Sequence, residues 1–184
     1  SNAFRIRVLG EFPQADDDTI IPYHLVENAI HRDVEGDENL PSVWGLDVSR
    51  FGNDKTALCK RQGSIVTEVR SWSGLDLMQT VGRVVAEYES LLPSKRPREI
   101  LVDSIGLGSG VVDRLRELEL PVRGINVAEA PSMGATYLNL RSELWFKTKG
   151  WFEDRACKLP KDDQLLAELT GIRYSFTSSG KMKA

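Results

Sequence analysis

Apolar and polar residues change period several times along this chain, and those changes mark out its elements. Val43–Val48 is an apolar run of strand length, closed by the polar turn Ser49-Arg50-Phe51-Gly52-Asn53-Asp54. A second strand follows at Lys55–Lys60, and Gln62-Gly63 turns the chain into a third at Ile65–Trp72, where apolar and polar positions alternate. From Leu75 to Leu92 the apolar residues fall three and four apart, which predicts a helix that Pro93 stops. Strands are then predicted at Glu99–Asp103 and Val122–Val127, with a helix over Val111–Leu118 between them. Further helices are predicted at Tyr137–Lys149 and Asp162–Thr170, the second closed by Gly171, and then a strand at Arg173–Thr177 that enters a hairpin at Ser178-Ser179-Gly180. Before all of these, only Tyr23–Ile30, after Pro22, reads as a helix, and the polar stretch 33–41 reads as a linker.

Two carboxylates stand out against this pattern. Asp47 lies within Val43-Trp44-Gly45-Leu46-Asp47-Val48, and Asp103 ends Ile100-Leu101-Val102-Asp103 just before a glycine-rich loop. An ionised carboxylate in apolar surroundings is costly unless a cation or a hydrogen-bond network compensates it. Two of them at strand ends beside loops point to a divalent-metal site. Asp54, at the far end of the first turn, joins them as a candidate, because hard cations such as Mg²⁺ and Mn²⁺ favour carboxylate oxygen. Asp54 has a second reading of equal standing, a turn aspartate bonded to its own backbone. Two ions held ~4 Å apart would suit in-line displacement at a phosphodiester.

Other motifs carry less. Gly106-Leu107-Gly108-Ser109-Gly110, between a strand and a helix, superficially resembles a dinucleotide loop, but the acidic residue expected about twenty positions on is replaced by Pro121-Val122-Arg123-Gly124. The glycines are equally read as a tight turn that brings helix amides near a phosphate. Trp145, Phe146, Trp151 and Phe152 are interleaved with Lys147, Lys149 and Arg155; the core face of a helix is the preferred reading, with base stacking as the other. Arg141 is read as the partner of a neighbouring carboxylate, with DNA contact as the other reading, Lys95-Arg96-Pro97-Arg98 as a solvated loop, and His24 and His31 as surface or packing residues. Cys59 and Cys157 are far apart and read as free thiols.

The net charge of −3 is unevenly spread: residues 4–41 hold nine acidic side chains against Arg5, Arg7 and Arg32, which leaves 42–184 at +3. A mildly basic domain with a carboxylate cluster is compatible with local contact to a phosphate backbone. No apolar run approaches the length of a membrane span. Ser1-Asn2-Ala3 reads as the scar of a cleaved expression tag.

The order of the elements, three antiparallel strands and then alternating helices and strands, resembles the ribonuclease H-like α/β fold, in which the first and fourth strands are neighbours. Four segments resemble a particular family, the C-terminal nuclease domain of the large terminase subunit of tailed bacteriophages. They are Arg5–Pro13 with Asp17–Pro22; Gly45–Val48 through Gly52–Thr56; Leu101–Gly108; and Asn139–Glu143. The resemblance implies a mixed sheet flanked by helices and a metal-dependent endonuclease that cuts concatemeric viral DNA. It implies that Asp47 and Asp103 hold Mg²⁺ or Mn²⁺, two ions in the complete domain, and that Asp54 matches an accessory acid. Double-stranded DNA would be the substrate, the portal and small terminase subunit would be partners of the full-length protein, and the host cytoplasm its location.

The same resemblance implies that 4–41 is a linker from an ATPase motor and that 42–184 is the nuclease domain. A further metal-binding aspartate is expected beyond Ala184, so the fragment is expected to cut weakly or not at all. Two rivals stand beside this reading. An actin-like or sugar-kinase-like phosphotransferase also places an acid in its first strand, but needs two such domains to clamp ATP. A non-catalytic docking module would use the same carboxylates structurally.

Overall fold

The structure is a computed structural model that describes residues 18–49 and 54–184. The resemblance carried by Arg5–Pro13, and the middle of the first turn, lie outside the described residues. By their internal packing the described residues divide into two units, one within 33–129 and 158–160, the other of 18–32, 130–157 and 161–184.

The first unit is built on a five-stranded sheet. Strand β1 (Ser42–Asp47) pairs antiparallel with β2 (Lys55–Gln62), and β2 pairs antiparallel with β3 (Ile65–Ser73). On its other side β1 runs parallel to β4 (Glu99–Asp103), and β4 runs parallel to β5 (Val122–Ile125). The order across the sheet is β3-β2-β1-β4-β5, so the first and fourth strands are neighbours as expected. Alternation along the strands sends Trp44, Leu46, Leu58, Ile100 and Val102 to one face. There they pack with Val81 and Val84 of α2 (Leu77–Glu89) and with Val111, Val112 and Leu115 of α3 (Leu107–Glu117). Each such buried aliphatic side chain contributes about 1.5–3 kcal/mol.

Two helix starts differ from the pattern-based boundaries. The second helix begins at Leu77, two residues late, because Asp76 caps it: its carboxylate accepts the Gln79 N–H at 2.7 Å, and the Gln79 side chain accepts the Asp76 N–H at 3.0 Å. The third begins at Leu107, four residues early, and takes Gly108 and Gly110 into its first turns. Gly106, at φ +66°, makes the turn. A Cβ on Gly108 would stand 1.7 Å from the Asp103 carbonyl oxygen, so glycine there lets the helix lie against the end of β4.

The other unit contains α1 (Tyr23–His31), α4 (Leu140–Glu153), α5 (Asp163–Gly171) and a small hairpin of β6 (Ser175–Phe176) and β7 (Met182–Lys183). Residues 18–32, expected to be linker, are integral to it. Ile20, Ile21, Val26 and Ala29 are fully buried. The Ile20 N–H donates to the Ile172 carbonyl at 3.0 Å, and the Tyr174 N–H to that of Asp18 at 2.9 Å. The fourth helix starts at Leu140 instead of Tyr137 because the Asn139 side chain caps the Ser142 N–H at 3.0 Å. Its aromatic residues are largely packing groups. Phe152 is buried, and Tyr137, Phe146, Tyr174 and Phe176 form a chain of ring contacts at 5.4–5.6 Å.

Candidate metal centre

The parallel register of β1 and β4 pairs Val43 with Glu99, Trp44 with Ile100, Gly45 with Leu101 and Leu46 with Val102. Carried one residue further, it sets Asp47 beside Asp103 on adjacent strands, roughly 5 Å apart, pointing to the same side of the sheet. That side is opposite to the one covered by α2 and α3, since Leu46 and Val102 face the core. On β2 the partner of Asp47 is Ala57. Asp54 precedes Ala57 by three residues and stands just past the same edge of the sheet. Asp47 and Asp103 therefore come together where β1 and β4 finish, while Asp54 stands just before β2 at the same end without completing a group of three.

The environment of these carboxylates differs from the one the apolar pattern implied. Asp47 and Asp54 are exposed and Asp103 is half-buried. Both strand aspartates are the last residues of their strands, so alternation and position hand them to solvent. These carboxylates therefore carry no large cost of burial, and what points to a cation is their convergence.

Local structure orients the loops around them. The Asp103 carboxylate accepts the Ile105 N–H at 3.1 Å, which turns it back over the start of the glycine loop. Thr56, fully buried, accepts the Ser49 N–H at 3.2 Å and lies 3.3 Å from the Ser49 hydroxyl, pinning the chain just after Asp47 to the start of β2. Neither contact was legible from composition, although Ser49 and Thr56 flank the turn symmetrically. A pair of converging carboxylates suits a hard cation that completes its shell with water. Among the described residues no group of three His, Cys, Asp or Glu side chains is placed to hold a metal ion.

Other carboxylates are committed elsewhere. In the second unit Glu143 is completely buried. Lys147 Nζ contacts its Oε1 at 2.7 Å, the Ser132 N–H donates to Oε2 at 2.6 Å, and the Ser132 hydroxyl donates to Oε1. The hydrogen bond from Lys147 and those from Ser132 outweigh burial and hold this carboxyl at about 2, below the ordinary 4.5. The cation on Glu143 is thus Lys147, while Arg141, expected to serve a neighbouring carboxylate, is exposed. In the sheet unit Lys60 bridges Glu68 at 2.8 Å and Glu87 at 2.6 Å, with Trp44 beneath its ammonium at 5.0 Å. Arg70 closes the network on both acids. His24 and His31 are exposed, and Cys59 and Cys157 are free.

The fold is a ribonuclease H-like mixed sheet flanked by helices, with Asp47 and Asp103 at the ends of its first and fourth strands. Solved structures similar to it are nuclease domains of phage large terminase subunits. The nuclease domain of the large terminase subunit gp2 of bacterial virus Sf6 matches with a TM-score of 0.71 at 18% identity, over 89% of this chain and 86% of that one. A point mutant of that domain with manganese matches at 0.68 and 17% identity, with the same coverage. The large terminase nuclease of thermophilic phage G20c with bound magnesium matches at 0.66 and 15% identity, over 91% of this chain and 87% of that one. At such identities the likeness is one of fold. No family model matches the sequence, and no curated protein sequence matches it. No described helix is long and apolar enough to cross a membrane.

Proposed function

We propose that this chain is the nuclease domain of a phage DNA-packaging terminase, a divalent-metal-dependent endodeoxyribonuclease with residues 42–184 as its body. The observation that carries the reading is the register of β1 and β4, which sets Asp47 beside Asp103 on a sheet of the terminase nuclease type. Asp47 and Asp103 would hold Mg²⁺ or Mn²⁺ through carboxylate oxygens, with Asp54 as the accessory acid and a second ion in the assembled site. The chemistry such cations supply is Lewis-acid polarisation of a phosphodiester and activation of water for in-line attack. The chain's own contribution is to hold two oxygen donors at one edge, with Asp103 oriented by the Ile105 N–H.

Double-stranded DNA is the substrate of this reading, with the portal and the small terminase subunit as partners and the host cytoplasm as the setting. Contact with DNA is through the phosphate backbone and therefore salt-sensitive, with little base readout, as a mildly basic surface favours. With two converging carboxylates, metal binding is weak, and Mn²⁺ works before Mg²⁺, which demands near-ideal octahedral geometry.

The test follows Mn²⁺ binding by calorimetry and nicking of supercoiled plasmid, in the wild-type chain and in Asp47→Asn and Asp103→Asn. Loss of binding and nicking in both variants is the expected result. Unchanged binding and nicking in either variant would overturn the assignment. Weak nicking by this chain is within expectation; absence of any Mn²⁺-dependent stabilisation in a version extended past Ala184 would instead favour the docking module.

A further inference from the structure

The opposite end of the sheet carries a second feature that the carboxylate site does not use. Where β1 and β4 begin, a pocket of about 210 Å³ is lined by Glu38, Ser42, Gln62, Lys95, Arg96 and Arg98 among others. Three of these are cations within four residues of sequence, and one is an acid. From Ser42 to Asp47 the strand advances five residues, so the pocket lies roughly 17 Å from the carboxylates.

Its walls are fixed by the fold. The Arg98 N–H donates to the Ser42 carbonyl at 2.8 Å, which ties the entry of β4 to that of β1. The Gln62 side chain donates to the carbonyls of Glu38 and Leu40 at 3.2 and 3.0 Å, holding the opposite wall. The Arg96 guanidinium lies over the Tyr88 ring at 4.7 Å. Its Nε is buried and has no hydrogen-bond acceptor, one of two such side-chain atoms among the described residues. A buried donor without an acceptor points to a bound water or ion, and beside two further cations an anion is the fitting partner. The carboxylate in the pocket is Glu38, which bridges Lys95 at 2.7 Å but is itself 83% exposed. A pair so exposed is worth little and yields readily to a stronger anion.

We propose that this pocket is an anion site that takes a phosphate group, with Arg96, Arg98 and Lys95 as its donors and Glu38 as a built-in competitor. The phosphate can come from a nucleic-acid backbone or from free phosphate. The cavity is small enough for one phosphate group and too small for a drug-sized ligand. The site stands independently of the metal reading, because none of its residues lies at the edge that carries Asp47 and Asp103.

The test observes the arginine Nε–H signals of the ¹⁵N-labelled chain during two titrations, one with inorganic phosphate and one with a short DNA duplex. The Arg96 Nε–H signal shifts. The Arg96→Gln and Arg98→Gln variants each weaken binding by about tenfold, as loss of a charge-assisted hydrogen bond implies. Glu38→Gln changes it the other way, tightening binding by about two- to fivefold, the range of an exposed ion pair. A shift with phosphate alone assigns free phosphate as the ligand; a shift with duplex, alone or as well, assigns the backbone. An Arg96 Nε–H signal that moves in neither titration, or a Glu38→Gln chain that binds no tighter, overturns the proposal. The inorganic-phosphate titration contains neither metal nor DNA, so failure of the nuclease reading would be seen separately.

Discussion

Replacing Gly108 by alanine probes the contact on which the candidate centre is built. The added Cβ would stand 1.7 Å from the Asp103 carbonyl oxygen and 2.9 Å from its carbon. Both obstacles are backbone, in a strand held on each side by β1 and β5, so no side chain can swing away to make room. Relief requires α3 to lift from the end of β4, which loosens the packing of Val111, Val112 and Leu115. Overpacking of this kind costs about 3 kcal/mol, at the upper end of its usual range. The helix propensity gained on changing Gly to Ala offsets about 1 kcal/mol, leaving a net loss of about 2 kcal/mol. Gly82→Ala is the control. It sits in the exposed interior of α2 with no atom within 4 Å of the new Cβ, and should stabilise by up to about 1 kcal/mol. The assay is the urea midpoint of both variants, with Mn²⁺ calorimetry on the same samples. Gly108→Ala should unfold at lower urea and bind Mn²⁺ more weakly, because the residue it displaces is Asp103 itself. A Gly108→Ala chain as stable as Gly82→Ala would refute the close approach of α3 to β4.

Two further outcomes are expected. Glu143 has a depressed pKa, so its contribution to stability is complete above the ordinary value of 4.5 and is lost as pH falls toward about 2. The difference in urea midpoint between wild type and Glu143→Gln should therefore shrink across that window, and a flat difference would show that Lys147 and Ser132 do not hold the carboxylate. Lys60→Met leaves Glu68 and Glu87 without their shared ammonium and should cost about 2 kcal/mol, less than the roughly 3–5 for an isolated buried pair, because Arg70 still contacts both acids. A loss in urea unfolding no larger than that of Lys95→Met, whose pair with Glu38 is exposed, would show that the Lys60 network contributes nothing special.

What sequence could and could not reveal divides along one physical line. The strands of the sheet were legible from their local apolar pattern, while the pairing of β1 with β4 was implied only by the resemblance in element order; Asp47 and Asp103 follow from where those strands end. The start of α3 was not, because three glycines in five residues argue for a loop on propensity alone. Gly108 is required instead by a neighbour in space, the Asp103 carbonyl, and a tertiary close approach overrides a propensity of about 1 kcal/mol per residue. Residues 18–32 read as linker because their burial depends on Ile172 and Tyr174, some 150 positions away. The burial of Glu143 was not legible, since Ser132, which binds it, belongs to a loop eleven residues earlier. Lys95-Arg96-Pro97-Arg98 read as solvated because nothing local shows that Glu38 and Gln62 close a pocket around it. Even the two aspartates were selected for a reason the fold removes, their apparent burial, while the property that supports a metal site is register between strands 56 residues apart. A local pattern can nominate such residues, but only the pairing of distant strands decides whether two carboxylates share one ion.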